Sequence, residues 1–586
     1  MFLLLRLPDG LRRVPLLFRH SLLLLVLALS ACASLRPAAP PGLTPVPETV
    51  AAPAPVIDPL PAARAQLSTD DLLADIRTLS SDQFEGRAPG TPGEDLTVEW
   101  LTNRLRALGL QPGGDGGSYV QQVPLVAFTS QASLTVSVKG KPHPLVAQRD
   151  FVAWSAAPLR EIALDASEVV FVGYGVIAPE YGWNDFKGMD LRGKTLLMLV
   201  NDPQVPDPAN PDRLDPAMFR GDAMTYYGRW TYKYEMAARL GAAAVLIIHE
   251  PALAGYPWQV VVNSWGRENF VLSSATHNSD YPLVPGWIEA GRARALLAAA
   301  GYDLERLRAQ ALRADFRPVR LPMQARFRVQ NRWREVRSAN VVARLPGTDA
   351  LLGQEAVVYT AHWDHFGRDS RNGQDRIYHG AIDNASGVAA MLQVARALQG
   401  MQPKPRRSVV FIATTAEERG LLGARWYVRH PLVPLGQTAA LFNIDGINPF
   451  GRSVGVDVIG YGSNTLEDLL VDAALNQQRQ VYAEAQPELG LAYRSDQFEF
   501  ARAGVPGLFF TAHPVLRGHS AEETRRRIQQ YAEHEYHTPE DRVREDWDLS
   551  GAGEDLALLL ELGWQVANTD TLPRWKEGAE FSRPAP

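Results

Sequence analysis

Between about residues 337 and 575 the chain repeats one pattern, a short apolar run followed by an amphipathic stretch of helical period. Residues 356–360, 408–414, 440–444 and 507–511 read as buried strands, too short and too uniformly apolar for surface helices. A helix over 385–398 places Val388, Met391, Leu392, Ala395 and Leu398 on one face. Buried strands alternating with helices demand crossover connections, which is the signature of an α/β fold with a largely parallel sheet.

The polar residues that follow these runs carry the chemistry. In open α/β sheets ligands bind beyond the carboxyl ends of the strands. The 356–360 run leads into His362-Trp363-Asp364, the 408–414 run into Glu417-Glu418, and the 440–444 run into Asp445. Asp383 lies in the loop entering the 385–398 helix, and His537 lies in Tyr536-His537-Thr538-Pro539-Glu540-Asp541, where Pro539 enforces extended or turn backbone. Two imidazoles and three carboxylates suffice for two zinc ions if one carboxylate bridges, leaving each metal an open position for water and substrate. Glu417, beside a ligand but not needed as one, is free to act as general base. Asp364 stands two residues after His362, on the same side of an extended chain. Its carboxylate is therefore expected to accept the far N–H of the His362 ring.

The remaining chain divides into distinct textures. Arg6, Arg12, Arg13 and Arg19 precede the apolar run from Leu22 to Leu29 and Ser30-Ala31-Cys32, a pattern expected of a secretory signal over residues 1–32. Cys32 is the single cysteine, so no intrachain disulfide forms. Residues 33–66, rich in Ala and Pro, read as an extended tether. Ser68-Thr69-Asp70-Asp71 caps a helix through Leu79, and a second helix is expected from about Thr91 to Leu108. Residues 133–334 have alternating β-type stretches, buried strands at 194–200 and 244–248, and a polar excursion at 202–216 with five prolines. They read as an inserted accessory domain, so that 67–132 and 335–575 form one discontinuous unit, followed by a tail at 576–586.

The motifs Ala361-His362-Trp363-Asp364-His365, Gly380-Ala381-Ile382-Asp383-Asn384-Ala385-Ser386-Gly387, Glu417-Glu418, Asn443-Ile444-Asp445 and Tyr536-His537-Thr538-Pro539-Glu540-Asp541 resemble those of the M28 zinc peptidases, a family that includes secreted bacterial aminopeptidases. The resemblance implies a zinc-exopeptidase-like, mostly parallel or mixed sheet flanked by helices. It makes Asp383 the bridging ligand, with Glu418 and His537 completing one zinc site and His362 and Asp445 the other, and it puts Glu417 at the general-base position. It further implies a cis peptide bond after Asp383, Tyr493 as the residue that stabilises the oxyanion, and a β-rich protease-associated (PA) domain at 133–334. Leu29-Ser30-Ala31-Cys32 resembles a bacterial lipobox, which implies lipidation of Cys32 and a lipid-anchored enzyme on the exported side of a bacterial membrane.

Peptides are the expected substrates, with an aminopeptidase favoured. Arg494 offers a partner for an anionic substrate, so carboxypeptidase action stays open. A one-zinc glutaminyl cyclase shares this fold, but retention of both His362 and Asp445 argues for two metals and hydrolysis. The M20 group usually carries its second domain after Glu-Glu, whereas the insertion here precedes His362. A receptor-like binding module would be expected to lose ligands or the base, and all six positions are filled. With 59 basic against 65 acidic residues, the chain has no electrostatic footprint for nucleic acid.

Overall fold

Two long strands organise the molecule. The computed structural model describes residues 58–273, 281–370 and 375–583; the expected signal segment, Cys32 and most of the tether lie outside these. In chain order the framework is α1 (Leu60–Arg64), α2 (Thr69–Leu79), α3 (Pro92–Ala107), β1 (Val120–Val138), β2 (Phe151–Ala153), β3 (Glu161–Phe171), β4 (Thr195–Leu199), α4 (Trp230–Arg239), β5 (Ala244–His249), β6 (Val284–Glu289), α5 (Ala290–Ala300) and β7 (Val319–Leu345). It continues through β8 (Ala356–His362), α6 (Gly387–Gly400), β9 (Ser408–Thr414), β10 (Thr438–Asn443), β11 (Gly507–Leu508) and α7 (Ser550–Asn568).

One mixed sheet runs β11-β10-β8-β9-β7-β3-β4-β5-β6-β2, with β1 also paired to β7. Its first block, β11-β10-β8-β9, is parallel, and so is β3-β4-β5-β6. The 27-residue β7 joins the blocks, antiparallel to β9, β3 and β1. The expected boundaries at 132/133 and 334/335 thus fall inside continuous strands. Apolar residues alternate with arginines through Arg326-Phe327-Arg328-Val329 and again through Arg332-Trp333-Arg334, and no Gly or Pro between Met323 and Leu345 breaks the ribbon. The cores nevertheless separate: one apolar cluster draws on 134–329, another on 63–110 and 341–567.

The insert is not built of β-structure alone, since α4 and α5 pack against its parallel strands. The 202–216 excursion contains a small exposed hairpin pairing Pro206–Asp207 with Asn210–Leu214. The end of the expected tether is folded: α1 buries Ala63 in the second core, and Arg64 pairs with Glu561, because Leu60 and Ala63 supply an apolar face that the Pro-rich residues before them lack. The expected strand at 507–511 splits at Phe509. Gly507–Leu508 edges the main sheet, and Phe510–Ala512 joins a separate three-stranded sheet.

Candidate active site

The strand ends deliver the polar residues to one place. His362 closes β8 and pairs across the sheet with Thr414, the last residue of β9. Beyond β9, Ala416 takes a left-handed φ of 52° that turns the chain into the short 3-10 turn Glu417–Arg419. Asp445 follows β10 by two residues. Asp383 lies in the π-helical turn Ala381–Ser386 at the entrance to α6, and the Asp383–Asn384 peptide is cis. His537, with φ 57°, comes in on the late loop after Tyr531–Glu535.

The five expected ligands meet. His362 Nε2 is 3.1 Å from Asp445 Oδ1 and 3.3 Å from Asp383 Oδ1. His537 Nε2 is 3.1 Å from Asp383 Oδ2 and 3.3 Å from Glu418 Oε2. The two oxygens of Asp383 therefore face different imidazoles, as a bridging carboxylate requires. Tetrahedral zinc with bonds of about 2.0–2.1 Å holds its donors about 3.3–3.4 Å apart, so the donor spacing fits that metal. His362, Asp383 and Asp445 form one metal-capable group. Asp383 and Glu418 also group with His365, whose Nδ1 is 2.7 Å from Glu418 Oε1. His365 is fully buried and its Nε2 has no hydrogen-bond partner, nor has His537 Nδ1. Orphaned nitrogen donors of this kind are costly unless something else engages them.

The electrostatics follow from crowding carboxylates away from water. Burial raises Asp383, but hydrogen bonds from His362 and His537 outweigh it and hold the carboxyl well below its ordinary range. Burial lowers His362, yet the carboxylates of Asp445 and Glu417 carry it well above an ordinary histidine. Glu417 is pushed well up by burial, partly offset by His362 and reinforced by Asp445. Its Oε2 lies 4.0 Å from His362 Nε2, outside the tight donor set. A carboxyl that takes up a proton readily beside a ligand cluster suits proton transfer.

Asp364 does something other than expected. The His362 ring meets the Asp364 main-chain carbonyl, with Nδ1 to O 3.1 Å, while the nearest carboxylate oxygen is 3.8 Å from that nitrogen. The Asp364 carboxylate instead accepts the Glu417 backbone N–H at 2.9 Å. The reason is register: β8 ends at His362, so the chain no longer keeps the strand alternation on which the i, i+2 expectation rested. Tyr493 also departs from expectation. Its hydroxyl bonds Glu580 of the tail at 2.5 Å and its ring packs on Phe498 and Tyr226, away from the ligands. Tyr256, Tyr531 and Tyr536 line the cavity, and Tyr536 stacks on His537 with ring centroids 3.7 Å apart.

Several supports were not singled out from sequence. Arg87, wholly buried, donates to the carbonyls of Leu79, Trp363, His379 and Gly380. Asp541 accepts the backbone N–H groups of Ile382 and Asp383 at 2.9 and 3.0 Å. Asn384 joins the Asp383 loop to the β10 end by donating to Ile444 O and accepting from Gly446 N, both at 2.9 Å. Of these, Asp541 and Asn384 carried a signal, since each lies inside a motif already marked by a ligand.

A cavity of about 590 Å³ opens over the cluster. Its floor includes His362, Asp383, Glu417, Glu418, Asp445 and His537, and Trp230, Tyr256, Trp265 and Trp287 of the insert line it as well. A mixed sheet whose parallel strand ends gather imidazoles and carboxylates beneath such a cavity is the architecture of a zinc metallopeptidase domain. Residues 340–560 match the sequence model of peptidase family M28.

The chain is 33% identical over 122 residues to aminopeptidase NAALADL1 of Mus musculus, covering 20% of this chain and 15% of that protein. It is 28% identical over 123 residues to a vacuolar membrane protease of Yarrowia lipolytica, covering 21% and 11%. The matched stretch is thus a small fraction of these relatives' lengths. Among solved structures, an aminopeptidase from Aneurinibacillus sp. strain AM-1 superposes with a TM-score of 0.50 at 19% identity, over 89% of this chain and 99% of that one. This likeness establishes the shared fold.

Proposed function

We propose that the chain is a secreted, dinuclear zinc aminopeptidase. The observation that carries this reading is the division of Asp383, one oxygen toward His362 and Asp445 and the other toward His537 and Glu418, with Glu417 left outside both sets. His362, Asp445 and Asp383 would hold one zinc, and His537, Glu418 and Asp383 the other, with His365 behind Glu418. When bound, zinc polarises a peptide carbonyl and acidifies water. Glu417 takes the proton released from water and passes it to the leaving amine. Its raised proton affinity favours the first transfer, and its backbone is held by Asp364. Asp541 and Arg87 keep the Asp383 loop in register.

The test is a panel of peptides with free or acetylated N-termini and free or amidated C-termini, run with zinc, with chelator and after zinc restoration. An aminopeptidase cleaves only the free N-terminal series, holds two zinc ions per chain and is silenced by chelation. Glu417→Gln should keep its zinc and lose about 10²–10⁴-fold in kcat. Near-normal turnover of that variant with metal bound would remove Glu417 from the mechanism. Cleavage dependent on a free C-terminus, or cyclisation of N-terminal glutamine, would replace the aminopeptidase reading by the carboxypeptidase or cyclase alternative.

Two further parts of the proposal rest on sequence. The insert is taken as PA-like, and its aromatic residues in the cavity support a role in limiting substrate size. Export and lipid anchorage through Cys32 rest on the lipobox-like Leu29-Ser30-Ala31-Cys32, which lies outside the described residues.

A further inference from the structure

The turn that carries Glu417 and Glu418 leans on the insert. Ala416, Gly420 and Leu421 take φ of 52°, 107° and 59°, so left-handed backbone bounds the 3-10 turn on both sides. Such backbone persists where its surroundings hold it. What packs there is the insert strand Asn269–Leu272, antiparallel to β1. Its Phe270 and Leu272 share one apolar cluster with Ala416 and Leu422, which flank the turn. Arg419, the residue after Glu418, lies between two rings, its guanidinium carbon 5.8 Å from the centroid of Phe270 and 4.9 Å from that of Phe366. It donates from Nη1 to Ser264 O of the insert at 3.3 Å, and its Nε is buried with no hydrogen-bond partner. Phe366 in turn packs edge-on against His537, with ring centroids 4.6 Å apart, and lies 5.0 Å from the ring of His365.

We propose that Arg419 is a positioning residue through which the insert holds Glu418 and His537, so that the insert governs metal retention at that half of the cluster. This rests on the dinuclear zinc reading and goes beyond it. The contacts run without a break from Phe270 of the insert through Arg419 and Phe366 to His537. Arg419 is joined to Glu418 by a peptide bond and to His537 through the Phe366 ring, so it bears on both ligands that share one zinc with Asp383. A cation between two aromatic rings and away from water is drawn to both, which gives the stack a preferred geometry as well as an apolar fit. Metal ligands need that support, because a site works only when its donors are held to within about 0.5 Å. The other half is supported differently: His362 closes β8 and Asp445 follows β10, positions set by the sheet itself. Loosening the stack should therefore cost one zinc and spare the other.

The experiment measures the Kd of each zinc for the full chain by competition with a chromogenic chelator, and backbone hydrogen exchange over residues 416–423 in the chelated protein. Arg419→Met and Phe270→Leu should each weaken one of the two zinc ions about 10–100-fold, the range for partners that support a metal ligand, and leave the other unchanged. Both should speed exchange in the turn. Arg419→Lys keeps a charge for the rings and should recover part of the lost affinity. Added to His537→Ala, which already breaks the affected half, Arg419→Met should cost the remaining zinc nothing. Equal weakening of both zinc ions, or an unchanged Kd for both in variants shown to be folded by circular dichroism, overturns the proposal. If Arg419→Met does not fold, Phe270→Leu decides alone. If the wild-type chain takes fewer than two zinc ions, the dinuclear reading falls and exchange in the turn decides the clamp: faster exchange in the variants supports it, and unchanged exchange overturns it.

Discussion

Replacing Arg87 by Met should loosen the whole ligand cluster without touching a ligand. Its guanidinium reaches four carbonyl oxygens at 2.7–2.8 Å, on Leu79, Trp363, His379 and Gly380. Trp363 follows His362, and Gly380 opens the turn that carries Asp383. Hydrogen bonds from a charged donor contribute about 1.5–3 kcal/mol each, so four amount to about 6–12 kcal/mol gross. Against this stands the burial of the guanidinium, which costs several kcal/mol and depresses the group to about 10. Methionine removes both the bonds and the buried charge while leaving four acceptors in a dry site, so a net loss of about 3–5 kcal/mol is expected. Urea unfolding of the chelated protein measures this structural part. Zinc retained after buffer exchange measures the part felt by His362 and Asp383. Arg87→Lys should recover only a fraction, because one ammonium cannot reproduce a planar fork aimed at four oxygens. A stability change under about 1 kcal/mol with full zinc retention would refute the reasoning.

Other consequences are equally open to measurement. Glu94, buried with Ser338 Oγ donating at 2.6 Å, is raised by burial to about 7 against an ordinary 4.5. The folded state therefore holds its proton longer than the unfolded chain, and stability falls as pH rises from about 4.5 to about 7. Glu94→Gln should gain up to about 3 kcal/mol at pH 8 and nothing near pH 4.5, read from urea midpoints at each pH; a pH-independent difference would refute the assignment. Asp364→Ala should lower kcat while keeping zinc, because the carboxylate holds Glu417 and the backbone carbonyl holds His362. A 10–100-fold fall in zinc affinity would instead restore the carboxylate–histidine account. In a bacterial expression host, Cys32→Ser should move the protein from the detergent-extracted membrane fraction to the soluble exported fraction, and an unchanged distribution would remove the lipid anchor.

The convergence of the proposed ligands was legible because the physics that buries a parallel strand also fixes where it ends. Apolar runs fully buried in the sheet stop where the first polar side chain can be used, and His362, Glu418 and Asp445 stand at or just past those stops. Asp383 and His537 came from motifs rather than periodicity, since each sits on irregular backbone, a π-helical turn and a left-handed residue, that no period describes. The same limit explains Asp364 and Tyr493. The Asp364 assignment extended the strand alternation past the end of the strand, where a main-chain carbonyl took the contact, and the Tyr493 assignment rested on resemblance alone, whereas its hydroxyl meets Glu580 of the tail.

Arg87 and Arg229 were illegible for a different reason. Each meets residues far away in sequence, Arg87 at Trp363 and Gly380, and Arg229 in the wall of a cavity that His362 also lines. Nothing local distinguishes them from surface arginines. Their roles arise only when the ribbon of β1 and β7 carries the chain out of one core, through another, and back to the same sheet. The insert's unbroken entry and exit strands therefore have a functional consequence. A wall fixed through a continuous antiparallel ribbon holds Trp230, Tyr256 and Arg229 in register with the ligand cluster more rigidly than a flexible linker would. The cavity wall and the metal-capable cluster are in this way built on one sheet.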